Sequence, residues 1–195
     1  MLQNQMPASF YEQDAISLAT QLLGKFLVHE NVVIRIVETE AYMPQDTASH
    51  AYKGQTKRNI PMFMIGGTIY VYICYGMHQM LNIVSGKKGS PQAVLIRGGE
   101  VIEGKQIVLS RRNNLDLNGP GKLAQGLGIN TSFSGSHIGQ RISIWEAPLV
   151  SSYQSLPRVG IDYAEPKDRD ALWRFMTPPQ TSPKKLGERK RKEKK

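Results

Sequence analysis

The chain has 195 residues, 40% of them apolar, and is therefore long enough to bury one hydrophobic core of its own. Its single cysteine, Cys74, excludes an intrachain disulfide and a zinc site built on cysteine pairs. The net charge is +9, but residues 184–195 carry eight basic and two acidic side chains, which is +6 of that total, so residues 1–183 hold only +3.

Composition also bears on location and on the C-terminal end. The sequence contains no run of 18 apolar residues and no signal-peptide pattern at its N-terminus, so we expect a cytoplasmic protein without a membrane segment. Residues 184–195 follow several prolines and have almost nothing to bury, which predicts a disordered tail behind a domain of residues 1–183. Such a tail is either a solubilising extension or a non-specific tether to phosphates, and composition leaves both interpretations open.

The first predicted elements are a helix and a hairpin. Residues 11–24 place apolar side chains at helical spacing, and Gly24 offers a C-terminal cap. The segments FLVH and VVIRIV flank Glu30 and Asn31, which predicts two strands joined by a tight turn. Residues 43–66 show no period and are rich in Pro, Gly, Asn and Lys, so we expect a long loop there. Loops of that length are usually functional or disordered.

The rest of the chain is predicted to contain short strands and two further helices. Adjacent strands are joined by short connections, which favours antiparallel pairing. We therefore predict a single compact α+β domain that has a curved, mainly antiparallel sheet, flanking helices and long active-site loops. The predicted strands are TIYVYI (68–73), LNIV (81–84), AVLIR (93–97), RISIWE (141–146) and RVGID (158–162), and the predicted helices are residues 101–112 and 120–127.

One of these strands carries three tyrosines within six residues, in the stretch GTIYVYICYGM at 67–77. Strand alternation puts its aliphatic side chains on one face, toward a core, and Tyr70 and Tyr72 on the other. Tyr75 comes directly before Gly76, where the chain can turn, so its ring can project from the end of the strand. Cross-strand packing is one explanation for the rings. A stacking surface for a planar ligand, above all a nucleobase, is the other.

A second strand, RIVETEAY, places Glu38 and Glu40 on one face with Thr39 opposite. Two carboxylates side by side repel each other, and burial would favour the protonated form of one of them. Their plain interpretation is a surface edge with lysine partners; their functional interpretation is a general base or a nucleophile. Tyr42 shares the same face and adds a ring beside the acid.

Five sequence blocks together resemble the alkyladenine (3-methyladenine) DNA glycosylase family. They are RIVETEAY, the block RNIPMFM at 58–64, GTIYVYICYGM, LNIV and GPGKLAQGLGIN, and they occur in order between about residues 15 and 175. The resemblance implies a monofunctional base-excision repair enzyme without metal or cofactor. It also implies a monomer that acts on double-stranded DNA containing damaged purines, in the nucleoid of a bacterial cell. The expected substrates are 3-methyladenine and 7-methylguanine, with hypoxanthine and ethenoadenine as open candidates.

The resemblance also implies a role for each matching residue. Family members flip the damaged base out of the duplex and hydrolyse its N-glycosidic bond. Carried onto this sequence, the catalytic residues are Glu40, as the base that activates water, and Arg97, which holds the acid or the water. Tyr72 faces Tyr42 and His50 around the flipped base, and Asn82 forms the pocket floor that disfavours guanine. Tyr75 is the wedge that enters the duplex, and the DNA backbone is contacted by Lys57, Arg58 and Lys122.

Two other functions remain open at this level. A non-catalytic nucleic-acid-binding module could use the tyrosines as a stacking platform, although it would give Glu40 no task. An O-glycosidase could use Glu38 and Glu40 as its two carboxylates, since neighbouring same-face positions on a strand lie roughly 6.6 Å apart between Cα atoms.

Overall fold

A curled antiparallel sheet of eight strands forms the centre of the computed structural model, which describes residues 2–178. Six strands follow one another across the sheet in the order β3-β4-β5-β2-β1-β6, and β8 pairs with both β2 and β7. The strands are β1 (Phe26–His29), β2 (Val32–Tyr42), β3 (Ile69–Cys74), β4 (His78–Val84), β5 (Ala93–Glu103), β6 (Ser143–Trp145), β7 (Gln154–Leu156) and β8 (Arg174–Met176), and the helices are α1 (Ala15–Leu22), α2 (Lys105–Arg112), α3 (Pro120–Leu127) and α4 (Pro166–Arg169).

The long strands β2 and β5 pair in the middle of the sheet and set the register of the acidic positions. Their ladder is irregular around Glu38, where the register shifts on both sides of that residue. Gly98 lies opposite Glu38, and a side chain there would approach the Glu38 Cβ to 3.1 Å. The bulge therefore leaves room for Glu38, while Glu40 pairs regularly with Leu95.

Helices α1, α2 and α3 pack on the sheet and contribute to the main core. Helix α1 packs on β2 and β5 through residues that include the buried Leu18 and Leu22. Helix α3 packs on β4 and β5, and α2 packs on α3. A second, smaller apolar cluster of Ala51, Met62, Tyr70, Val84 and Ala93 lies where the loop after β2 packs on β3–β5. The α+β fold, the curved antiparallel sheet and the long loops predicted from the sequence are confirmed.

Two predicted helices begin later than expected. A 3₁₀ turn at Ala8–Tyr11 lies just before the segment 11–24, and α1 begins only at Ala15, because Asp14 caps the helix by accepting hydrogen bonds from the amides of Ile16 and Ser17, both at 3.0 Å. The segment 101–112 is strand up to Glu103. Helix α2 follows only after Gly104, which adopts φ +78 with no room for a Cβ.

The predicted strand at 158–162 is wrong. These residues form a loop, because Gly160 has a left-handed φ of +76 and the Val159 amide donates to a side chain instead of a neighbouring strand. Strands β7 and β8 and helix α4 were not predicted. Ile73, assigned to the core face, is 44% exposed because β3 extends beyond the core at its end.

The predicted tail, 184–195, and residues 179–183 before it lie outside the described residues. Within residues 2–178, no helix has the length and apolar character needed to cross a membrane.

Candidate active site

A cavity of about 600 Å³ opens beside the tyrosine face of β3, between the strands and two long loops. Residues of β2, β3, β4 and β5 form its base, and residues from the loops at 43–66 and 157–164 form its rim. Eight of the ten site residues predicted from the sequence line it: Glu40, Tyr42, His50, Arg58, Tyr72, Tyr75, Asn82 and Arg97.

Glu40 is the buried acid of this cavity, with an exposed fraction of 0%. Its Oε1 accepts a hydrogen bond from the Val159 amide at 2.9 Å, and its Oε2 accepts one from the Tyr42 hydroxyl at 2.9 Å. The Nη1 atom of Arg97 lies 3.4 Å from Oε1. A carboxylate has about four acceptor positions, so Glu40 is oriented and still able to accept a hydrogen bond from a water.

Glu38, on the same face, is neutralised by two arginines. Its Oε1 accepts from Arg97 Nε at 3.1 Å and from Arg174 Nη1 at 3.0 Å. The interpretation of Glu38 and Glu40 as a surface edge with lysine partners is therefore wrong, since both acids are buried and paired with arginine. Arg97 bridges the two acids and links the structural carboxylate to the one in the cavity.

Burial dominates the electrostatics of Glu40. Desolvation raises the pKa of its carboxyl group above the ordinary value, and the charge of Arg97, then the hydrogen bonds from Val159 and Tyr42, oppose that rise. A buried carboxyl with a raised pKa, in a cavity, has the properties of a proton acceptor in catalysis.

The raised pKa predicts that Glu40→Gln stabilises the fold at neutral pH. A carboxyl whose folded pKa lies above its unfolded value of 4.5 costs stability as the pH rises through the folded value, whereas glutamine carries no charge to bury. We expect the variant's free energy of unfolding, relative to that of the wild type, to increase between pH 4 and pH 8 in urea titrations. A difference that shrinks over this range would show that the partners of Glu40 outweigh its desolvation.

The aromatic wall is formed by His50 and Tyr72, which contact each other edge to face with ring centroids 4.4 Å apart. His50 Nδ1 lies 3.0 Å from the Tyr70 hydroxyl, and the guanidinium of Arg58 lies 5.2 Å from the Tyr72 ring centroid. A base stacked between His50 and Tyr72 would need their rings to be two stacking distances apart. The observed 4.4 Å leaves no such gap, so the two rings belong to one wall of the cavity. The predicted grouping of His50 with Tyr42, against Tyr72, is therefore replaced by a wall of His50 and Tyr72.

His50 is neutral at physiological pH. Burial, assisted by the charge of Arg58, lowers the pKa of His50 from 6.5 to about 4. Burial likewise keeps the pKa of Tyr42 and of Tyr72 above the ordinary value for a phenol. The rings of the cavity are thus uncharged, and its charges belong to Glu40, Arg97 and Arg58.

Asn82 lines the cavity and is held in place by the backbone of its own hairpin. Its Nδ2 donates to the carbonyl oxygens of Tyr70 at 3.2 Å and of Met80 at 3.1 Å. Because both partners are acceptors, the amide orientation is determined, and the side-chain oxygen is the atom left for a ligand.

Tyr75 is at the tip of the hairpin between β3 and β4, at the mouth of the cavity. Its side chain is 87% exposed, and its backbone has a left-handed φ of +49, followed by Gly76 at +72. The turn therefore holds a large ring in solvent, in a backbone region that is unfavourable for a tyrosine.

The two remaining predicted residues do not line the cavity. Lys57 lies with Arg58 in an adjoining open groove. Lys122 is at the start of α3 and donates to Asp116 Oδ2 at 2.7 Å, so its ammonium group is already in an exposed ion pair.

Sequence reasoning missed the contribution of the loop at 157–164. This loop supplies the Val159 amide to Glu40 and adds Tyr163 to the cavity rim. The side chain of Arg158 lies 4.7 Å from the Tyr42 ring centroid. The run RVGID carried a usable signal, because Gly160 inside a predicted strand indicates a break. Within residues 2–178, no group of three or more acidic, histidine or cysteine side chains is arranged to hold a metal ion.

The fold and the cavity define a single-domain enzyme with a buried carboxylate among aromatic side chains. Residues 9–181 match the family model described as methylpurine-DNA glycosylase. A DNA-3-methyladenine glycosylase of Arabidopsis thaliana is 46% identical over 178 residues, which cover 87% of this chain and 70% of the plant protein. Two bacterial proteins, both provisionally named 3-methyladenine DNA glycosylase, are each 41% identical to this chain. The match to the protein of Nitrosococcus oceani covers 89% of this chain and 90% of that protein. The match to the protein of Chlamydia pneumoniae covers 91% of this chain and 96% of that protein. The chain belongs to the methylpurine-DNA glycosylase family and is a DNA glycosylase, a hydrolase of DNA repair.

Proposed function

We propose that the protein removes alkylated purines, 3-methyladenine and 7-methylguanine first, from double-stranded DNA by hydrolysing the N-glycosidic bond. Glu40 orients and deprotonates the attacking water. The observation that carries this proposal is the burial of Glu40 in a ring-lined cavity, with a donor on each oxygen and acceptor capacity to spare. The family model and the name of the plant relative support the substrate class.

The cavity suits a cationic purine. Alkylation at a ring nitrogen gives the base a positive charge, which is attracted to electron-rich ring faces. A base lying between Tyr42 on one side and the wall of His50 and Tyr72 on the other would meet such faces, and neutral His50 adds no repulsion. Alkylation also weakens the glycosidic bond, so the base leaves with little help from an acid.

The chemistry requires the base to leave the duplex. Extrusion costs a few kcal/mol, and stacking on aromatic rings returns about 1–3 kcal/mol per base. Tyr75, projecting from the cavity mouth, would fill the space that the base vacates, and Lys57, Arg58 and Lys122 would contact the phosphates. We propose that the protein acts as a monomer on chromosomal DNA.

We further propose hydrolysis without strand cleavage. A lyase step needs an amine nucleophile that forms a Schiff base with the sugar. Among the described residues that line the cavity, none is a lysine. Glu38 does not provide a second carboxylate for a two-acid mechanism either, because Arg97 and Arg174 hold it in ion pairs.

The direct test uses duplex oligonucleotides that each contain one lesion. We expect release of the free base and an abasic site that breaks only after alkali. Binding without release would leave a non-catalytic module, and strand breaks before alkali would contradict hydrolysis alone. A panel of 3-methyladenine, 7-methylguanine, hypoxanthine and ethenoadenine would rank the substrates.

Asn82→Ser should increase the release of unmodified guanine. Serine removes the amide held by the two backbone carbonyls and opens the inner end of the cavity, where the exocyclic amine of guanine would otherwise clash. We expect about a tenfold rise in guanine release from undamaged DNA, the equivalent of removing a clash of about 1.4 kcal/mol. Release of 3-methyladenine, which lacks the C2 amine of guanine, provides the control. Unchanged guanine release would place the selection elsewhere.

A further inference from the structure

Two loops distant in sequence are joined beside the catalytic carboxylate. The Thr47 hydroxyl donates to Asp168 Oδ2 at 2.6 Å and accepts from the Glu165 amide at 2.9 Å. The Tyr163 hydroxyl donates to the carbonyl oxygen of Ala48 at 3.1 Å. The loop that carries His50 is therefore attached to the loop that carries Val159.

Arg158 is at the centre of this junction, with a side chain that is 0% exposed. Its Nη1 donates to Asp46 Oδ2 and to the carbonyl oxygen of Ala41 at 3.0 Å, and its Nη2 donates to Asp46 Oδ1 and to the carbonyl oxygen of Asp168, both at 3.0 Å. One guanidinium thus joins β2, the loop after it and helix α4. A buried ion pair is costly to desolvate and is weak evidence for stability, so its position suggests another role.

Both hydrogen-bond donors of Glu40 adjoin Arg158. The next residue, Val159, donates its amide to Oε1. The guanidinium lies 4.7 Å from the ring centroid of Tyr42, whose hydroxyl donates to Oε2. Arg158 itself makes no hydrogen bond or ion pair with Glu40 in the described structure. It is instead the chain neighbour of Val159 and lies against the ring of Tyr42, the two residues that donate to Glu40.

We propose that Arg158, anchored by Asp46, is a positioning residue that holds the Val159 amide and the Tyr42 hydroxyl on the two oxygens of Glu40. The inference rests on the proposed role of Glu40 as general base. It assigns the buried pair to maintaining the ionised, correctly oriented carboxylate.

The proposal has a consequence for the pH profile. Hydrogen bonds from Val159 and Tyr42, and the charge of Arg158, all lower the pKa of Glu40 against the opposing effect of burial. Loss of the Arg158 network raises that pKa, so a smaller fraction of Glu40 is ionised at low pH. The acid limb of the rate profile then moves to higher pH. The other titratable or charged groups around Glu40 are Arg97 on β5, Glu38 on β2, Arg174 on β8, Tyr72 on β3 and Tyr163 on the loop, and none of these is altered in the test.

The test compares single-turnover release of 3-methyladenine from methylated duplex DNA between pH 5 and pH 9. The double variant Asp46→Asn/Arg158→Met removes both buried charges, so neither is left without its partner. We expect its acid limb to move up by about one unit relative to the wild type. Any ionisation of the substrate itself changes the release rate of every variant in the same way, so it does not alter the difference between their acid limbs. Thr47→Val, which breaks the junction without touching Arg158, is the matched control and should keep the wild-type limb.

The outcomes separate the positioning role from a purely structural one. A folded double variant whose rate falls equally at every pH overturns the inference. If the double variant does not fold, Arg158→Lys replaces it, because lysine keeps the charge but cannot reproduce the two-pronged hydrogen bonding of the guanidinium group. A smaller upward shift of the acid limb in this variant supports the inference. An unshifted acid limb overturns it. An active Glu40→Gln protein would refute the proposed base itself, whatever the Arg158 variants do.

Discussion

Glu40→Gln should abolish base release while binding to lesion-containing DNA is retained. Glutamine preserves the shape of the side chain and an acceptor for the Val159 amide, but it cannot take a proton from water. General-base catalysis contributes typically 10²–10⁴-fold, so we expect a loss of about 10³-fold in single-turnover release. Because a neutral side chain also removes the burial cost of the carboxylate, the loss should appear in a protein that is as stable as the wild type or more so.

Glu38→Gln is the matched control for this experiment. It lies on the same strand and face, two residues away, and is bound by Arg97 and Arg174. We expect the Glu38 variant to lose stability, since two half-buried arginines lose their shared anion, while base release stays within about tenfold of the wild type. Equal losses of release in the two variants would refute the assignment of the base to Glu40 alone. Binding is followed in both by fluorescence anisotropy with a labelled lesion duplex.

The alternation of side chains along strands predicted which residues of β2 share a face. Glu38 and Glu40 share a face, as both contact Arg97, and the Thr39 hydroxyl points the other way to the carbonyl oxygen of Ala19. This rule needs only a period of two, which a single sequence displays. The exposed position of Tyr75 was predicted by a different local signal, the turn at Gly76.

The features that the sequence did not reveal depend on partners far apart in the chain. Asp46 and Arg158 are separated by 112 residues, and nothing local to either indicates an ion pair. The run at 158–162 has the apolar alternation of a strand, but the Val159 amide donates to the Glu40 carboxylate and not to a neighbouring strand. Tertiary contacts overrode local pattern at the place where the loop completes the active site.

The edge-to-face contact of His50 and Tyr72 is a further case. Spacing and resemblance brought both residues to one cavity, but the wall to which each belongs depends on how the loop at 43–66 folds over β3. That loop is held by Asn59, whose side chain donates to the carbonyl oxygens of His50 and Gly54 at 2.8 and 3.0 Å. Its conformation is set by buried polar contacts of this kind, which have no periodic signature in the sequence.

Tyr75→Asn should slow the release of a lesion base from fully paired DNA by about 10- to 100-fold, while a lesion in a single-nucleotide bulge is affected much less. The ring at the hairpin tip is worth about 1–3 kcal/mol when it replaces the stacking of the extruded base, and a bulged base has less stacking and no pairing to lose. Asparagine is chosen over alanine because it tolerates the left-handed backbone at φ +49, so the turn keeps its shape when the ring is removed. Tyr75→Phe keeps the ring and should remain close to the wild type on both substrates. The measurement is single-turnover release on paired and bulged duplexes of one sequence, with extrusion followed by 2-aminopurine beside the lesion. If Tyr75→Asn slows both substrates equally, the ring acts in binding or chemistry and not as a wedge.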